Sequence, residues 1–252
     1  MLDQILLFAA VGFAAQIVDG AIGMAYGVTA TTVMLSLGIP PATASASVHA
    51  AEVFTTGASG LSHWIAGNVR MRLVLRLALP GMVGGALGAY VLSSVPGDAI
   101  RPFVSLYLMA MGGLILWKAL RRTEVTDAPP KRLVPLGLTG GFLDAIGGGG
   151  WGPLVASTLI GGGTVPRYAI GSTNLAEFFV TAVVSATFVV TIGLHLWPVI
   201  AGLILGGVLA APFAAYVTRR LPDRPLMILV GVVIVLLSLR NLLPVIAPWL
   251  PF

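Results

Sequence analysis

Cysteine is absent from this 252-residue sequence, and charge is scarce. Without cysteine there are no disulfides, thiolate metal sites or thiol redox chemistry, and cysteine usage says nothing about the compartment. Charged residues make up 9% of the chain, against about 25% in a soluble domain, which needs polar side chains to face water. With 57% hydrophobic residues and a mean hydropathy of +0.99, the chain reads as an integral membrane protein. That excludes a cytosolic enzyme, a nucleic-acid-binding domain and a secreted module. The 14 Lys and Arg against 9 Asp and Glu then concern loops and orientation rather than a polyanionic partner. No Lys or Arg precedes Arg70. The basic n-region of a cleaved signal peptide is missing, so the first hydrophobic stretch is expected to belong to the mature fold.

What is present is a series of apolar stretches of the length that crosses a bilayer, about 20 residues as helix. They lie near 41–66, 72–95, 100–118, 166–193, 195–217 and 224–247. Two further stretches, 4–38 and 133–163, exceed one span and are interrupted. The first is broken at Asp19-Gly20-Ala21-Ile22-Gly23, the second at Asp144-Ala145-Ile146 followed by Gly147 to Gly150, Trp151 and Gly152. Glycine weakens helix continuity and an intramembrane Asp resists burial in lipid. Residues 119–132 form the one clear hydrophilic linker, basic and expected in the cytoplasm, between a first transmembrane repeat (1–118) and a second (133–252).

The two halves read as copies. At a constant offset of 125, Gly12, Asp19, Gly23 and Gly27 match Gly137, Asp144, Gly148 and Gly152. Without a gap, Pro41, Ala44, Ser47, Ala51, Glu52 and Thr56 then match Pro166, Ala169, Ser172, Ala176, Glu177 and Thr181. Shared apolar composition does not readily place the same acid twice. If each broken stretch is one span, the halves run parallel, with nine basic residues inside and five outside. If each returns to its own side, every half crosses three times and the second copy is inverted. Arg70, Arg72, Arg76, Lys118, Arg121, Arg122, Lys131, Arg132, Arg167, Arg219, Arg220 and Arg224 are then cytoplasmic, leaving Arg101 and Arg240 outside. Twelve against two satisfies the positive-inside rule better. The expected fold is therefore an all-α polytopic membrane protein of two inverted repeats. Each carries a broken helix pair, re-entrant or short, plus three spanning helices, in the inner (plasma) membrane.

Four acids sit inside apolar stretches: Asp19, Asp144, Glu52 and Glu177. Ionised carboxylates at mid-bilayer cost roughly 2.5–3.5 kcal/mol each, so four would cost on the order of 10 kcal/mol. They must be paired, protonated or facing a hydrated cavity, and no Arg or Lys lies mid-span to pair with them. Asp19 and Asp144 are placed to cap the helical arm after each break, which does not exclude a role at a site. The stretch 41–66 carries Ser45, His49, Glu52, Thr56, Ser59 and His63, spaced by 4, 3, 4, 3 and 4 on one helix face. The second copy keeps Asn174, Glu177 and Thr181 of this stripe. His49 and Glu52, at i and i+3, can share a proton. With no further His or Cys cluster there is no metal site, and nothing calls for a cofactor.

Where a helix restarts at mid-membrane its first N–H groups are unpaired and favour an anion, as in transporters with discontinuous helices. The restarts fall near Gly23 to Val28 and Gly148 to Pro153, and Pro153 suits a first helical turn. Gly81, Gly84, Gly85 and Gly88 read instead as close helix packing. No Gly-Lys-Ser/Thr follows the glycine run, so it is not a P-loop.

The twofold Asp-containing, Gly-rich segment, each followed by Pro and then Ser-x-x-x-x-Glu, resembles the TauE/SafE sulfite-exporter family of membrane transporters. The resemblance covers essentially the whole chain. It implies export or exchange of small sulfur-containing anions and points to Asp19, Gly23, Glu52, Asp144, Gly148 and Glu177. The first copy departs from the glycine-rich form, with Gly-Met-Ala-Tyr-Gly at 23–27 where the second has Gly-Gly-Gly-Trp-Gly at 148–152. The expected function is a secondary transporter of a small oxyanion, sulfite or an organosulfonate, coupled to protons. The candidate substrate contacts are Asp19, Gly23, Tyr26, Ser47, His49, Asp144, Gly147, Gly148, Gly149, Trp151, Ser172, Thr173 and Asn174. Glu52, Glu177 and His49 are the candidate proton carriers. The partners are the anion, protons and the lipid bilayer; the oligomeric state is open. A cation carrier using the carboxylates is the alternative. A remote one is an intramembrane serine hydrolase, from Gly-Ala-Ser-Gly at 57–60 with His63 one turn on.

Overall fold

The apolar stretches marked by hydropathy become helices in the computed structural model, which describes residues 1–22, 25–120, 132–217 and 223–246. Gly23, nearly all of the 119–132 linker, Arg219 and Arg220 lie outside the described residues. The described part is helical, with no strand. Its elements are α1 (Leu2–Ile22), α2 (Tyr26–Ser36), α3 (Pro41–Ile65), α4 (Met71–Ser94), α5 (Gly97–Leu120), α6 (Leu133–Gly147), a π-helical turn (Gly152–Ala156) running into α7 (Ser157–Gly161), α8 (Pro166–Thr191), α9 (Trp197–Val217) and α10 (Asp223–Ile246). Each of the six expected spans is a helix within a few residues of its anticipated ends.

Prolines set several starts: Pro41 and Pro166 occupy the first turns of α3 and α8, where a missing N–H costs nothing. Gly38 and Gly193 take positive φ in the connections after α2 and α8. Among the described residues α4, α5 and α8 are long and apolar enough to cross a membrane on their own. The 11 residues of α2 reach about 16 Å. That is half of the roughly 30 Å hydrocarbon core. The π-turn and α7, five residues each, reach no further.

α3 and α8 pack on one another at the centre. α4 lies against α8 and α6, α9 against α3 and α1, and α5 against α10. The α4–α6 and α1–α9 contacts are made through small residues: a methyl group at Gly88 would stand 2.5 Å from the Phe142 carbonyl oxygen, and one at Gly202 would stand 2.6 Å from that of Ile5. Without lipid-excluding hydrophobic attraction to rely on, helices in a membrane gain by such close backbone approach. The reading of Gly81, Gly84, Gly85 and Gly88 as packing positions holds, since a side chain at each would collide with α6, α8 or Trp151.

Candidate functional site

Both breaks are built alike. Asp19 lies in the last turn of α1, and its Oδ1 accepts the backbone N–H of Tyr26, 3.3 Å away, where α2 begins. Asp144 does the same across the second break, accepting from the Trp151 N–H at 2.9 Å. In each case the carboxylate reaches seven residues ahead and satisfies a donor orphaned at a helix start. Backbone turning is done by residues at positive φ: Ala25 at 126° in the first break, and Gly148, Gly149 and Gly150 at 67°, 141° and 149° in the second. Pro153 sits in the first turn of the restarted arm, as its position suggests. One of the anion-attracting N–H groups expected at each restart is therefore already held by an aspartate.

The breaks meet in the interior. A Cβ on Gly27 would lie 2.7 Å from the Gly149 Cα and 2.6 Å from the Glu52 carboxylate, so backbone lies directly on backbone. Thr31 of α2 donates its hydroxyl to the Gly148 carbonyl. Gly147 and Gly150 leave room for the Tyr107 ring of α5, which a Cβ at either would strike. The glycine run is thus filled by protein groups.

His49 departs from expectation in its partner. Its Nδ1 lies 2.8 Å from the Ser45 carbonyl oxygen and donates to it, while Nε2 is 3.2 Å from Asp144 Oδ2. A helical side chain leans toward the N-terminus of its own helix. The imidazole therefore turns toward Ser45 and away from Glu52, and the sharing of a proton between His49 and Glu52 is replaced by a His49–Asp144 pair. Ser45 Oγ donates to the Ala145 carbonyl at 2.6 Å, closing the same contact. His49 and Asp144 are 0% and 1% exposed, so this end of the polar stripe is buried.

The other end of the stripe is open. A cavity with roughly 390 Å³ of atom-free space, mouth included, is lined by Asp19 and Gln16 of α1, Tyr26 and Gly27 of α2, Glu52, Thr55, Thr56 and Ser59 of α3, Gly150, Gly152 and Pro153 of the second break, and Asn174 and Glu177 of α8. Of the sequence-derived candidates the structure brings Asp19, Tyr26, Glu52, Asn174 and Glu177 to this space. Ser47, His49, Asp144, Gly147, Gly148, Gly149, Trp151, Ser172 and Thr173 do not line it. Trp151 is fully buried against Gly81, with its indole N–H donated to the Thr173 carbonyl at 3.2 Å. The hydroxyls of Ser47 and Thr173 bond their own helices, and that of Ser172 accepts the Arg70 N–H. His63 lies at the end of α3 beside Asn68, and Gly57 and Gly60 pack on Phe178 and Leu175.

Gln16, Thr55 and Tyr107 were not among the candidates. Gln16 carried a signal, as a polar residue in an apolar stretch three positions before Asp19 and so on the same face. Thr55 lies beside the stripe rather than on it. Nothing in the sequence links Tyr107 to the second break.

With this geometry in place, the comparisons with known proteins agree on the class. The family model described as sulfite exporter TauE/SafE matches residues 8–241. A probable membrane transporter protein of Bacillus subtilis (strain 168), YtnM, is 40% identical over 251 residues, 96% of this chain and 84% of its own length. The probable membrane transporter protein ORF9 of Sinorhizobium sp is 26% identical over 166 residues, 66% of this chain and 59% of its own. No solved structure matches the chain.

Proposed function

Since the chain belongs to the TauE/SafE sulfite exporter family and is a membrane transporter, not an enzyme, we propose that it is a proton-coupled secondary transporter of a small oxyanion, sulfite or an organosulfonate, in the plasma membrane. The observation that carries this reading is the cavity at the crossing of two broken helices, lined by Asp19, Glu52 and Glu177. Among its described lining residues there is no Lys, Arg or His to neutralise them. An anion enters such a space together with protons that remove the repulsion and turn a carboxylate into a donor. Glu52 and Glu177 are the proton carriers in this scheme. Export is the direction that the family description favours.

The halves are inverted repeats in this reading. Exchanging α1–α5 with α6–α10 maps the most extensive helix contacts onto one another: α1–α9 becomes α6–α4, and α3–α9 becomes α8–α4. Two hydrogen bonds favour return of each broken stretch to its own side. Lys118, beside the linker, bonds Ser157 of α7, and Asn241, near the end of α10, bonds Ser36 at the end of α2 at 3.4 Å. A second reading, a cation carrier, is favoured by the capping of both helix starts by Asp19 and Asp144. Purified protein in proteoliposomes separates the two. Sulfite flux stimulated by an imposed pH gradient supports the first; monovalent cation flux without sulfite flux supports the second.

A further inference from the structure

The donors and acceptors around the cavity are unevenly spent. Tyr26 gives its hydroxyl proton to the Leu203 carbonyl at 3.0 Å, and Thr56 gives its own to the Glu52 carbonyl at 2.6 Å. The Asn174 amide donates to the Ile170 carbonyl at 3.0 Å. The Tyr26 and Trp151 N–H groups are held by Asp19 and Asp144. Of the cavity-lining residues, two carry a buried side-chain atom without a partner, and both atoms are acceptors: Glu52 Oε2 and Gln16 Oε1, on side chains only 3% and 6% exposed. Buried polar atoms are ordinarily bonded, so two such atoms on residues that line one cavity call for an occupant that donates.

We propose that the cavity takes a small organic ion carrying a primary ammonium group, whose N–H donors are received by Glu52 and Gln16. This rests on the transport reading above, and with the oxyanion of that reading the occupant becomes a zwitterion, ammonium at one end and sulfonate-like at the other. An ammonium brings three donors. A proton on Glu52 would supply one and give nothing to Gln16. A metal ion is disfavoured, because among the described residues no three His, Asp or Glu side chains gather closely enough to hold one. Glu52 accepts whichever way the Gln16 amide is turned. The charge arithmetic also differs: the ammonium enters already carrying the proton that a simple sulfonate must recruit.

The test uses two probes that differ only by the ammonium, 3-aminopropanesulfonate and propanesulfonate, with the full-length protein in proteoliposomes and in detergent. The amino compound is expected to compete in counterflow and to raise the unfolding temperature at a concentration about tenfold lower than its partner. Glu52→Gln should bring that ratio close to one. Gln16→Leu should lower it, and stands in if the Glu52 variant does not fold. Equal or better binding of propanesulfonate by the native protein overturns the inference. Sulfite flux in the same vesicles reports on the underlying reading separately. Flux without ammonium preference overturns this inference alone. Ammonium preference without sulfite flux supports it and overturns the oxyanion assignment.

Discussion

Arg70 and Arg167 share one aromatic ring: their guanidinium carbons lie 4.2 and 4.6 Å from the centre of Tyr168. Cation–π contact of this kind works at close range only, so the start of α4 and the start of α8 occupy the same end of the bundle. Eight plain crossings would put these two arginines on opposite sides of the membrane. Inverted repeats put both inside.

Labelling checks this directly, because the chain has no cysteine of its own to give background. Single Cys substitutions at Arg70 and Arg167 should both be protected from an impermeant thiol reagent in intact cells, and both should react after permeabilisation. Cys at Arg101 should react from outside. Labelling of position 167 with protection of position 70 would rule the inverted arrangement out.

The two carboxyls proposed to carry protons can be tested by the same substitution. Gln keeps the size and hydrogen bonding of a protonated Glu and removes the titration. Glu52→Gln and Glu177→Gln should retain anion exchange and lose the several-fold stimulation by a pH gradient, read as uptake at matched reconstitution. His49 is engaged with Asp144 and does not back up Glu52. Glu52, at 3% exposure, therefore gives as clean an uncoupling as Glu177. Full gradient response in both variants would exclude them as carriers of the coupling proton.

The His49–Asp144 pair should show its worth in a double-mutant cycle. His49→Leu leaves a buried carboxylate without its partner and should cost about 3–5 kcal/mol. Asp144→Asn keeps an oxygen for the Trp151 N–H and should cost less. Because the two side chains act as one, the double variant should be more stable than the sum of the single losses by about 1–3 kcal/mol, read from thermal unfolding in detergent. Strict additivity would mean that the two side chains do not act as a pair.

Glycine substitutions should sort by contact. Gly27→Ala brings a methyl group against Gly149 and Glu52 and should abolish transport while costing about 1–3 kcal/mol through overpacking. Gly113→Ala, with nothing within 4 Å, should be neutral or slightly stabilising. Gly148→Val fails on two counts, a positive φ of 67° and the Thr31 side chain, so it should lose folding together with transport. An active Gly27→Ala protein would show that the breaks do not touch in the working state.

Much of this molecule was legible in the sequence. Hydropathy and proline placement gave α3 to α5 and α8 to α10 nearly to the residue, because spans are long and their signal is strong. The breaks were readable from Asp beside glycine, and the caps from the N–H groups that every helix start leaves open. Partners across the fold were another matter. His49 and Asp144 are 95 residues apart, and periodicity within one helix could suggest only Glu52. The filling of the glycine run by Tyr107 and Thr31 likewise depends on which helix passes behind it. A repeat pattern marks which positions correspond, whereas packing decides which of them face a void.

The contact of Gly27 with Gly149 also governs how the protein can move. Where side chains meet, one can change rotamer and let its neighbour slip past. Bare backbone offers no such give, and beside this contact the Thr31 hydroxyl is bonded to the Gly148 carbonyl. Any movement of one break relative to the other must carry that contact along or part it. The two breaks are therefore expected to shift together rather than independently.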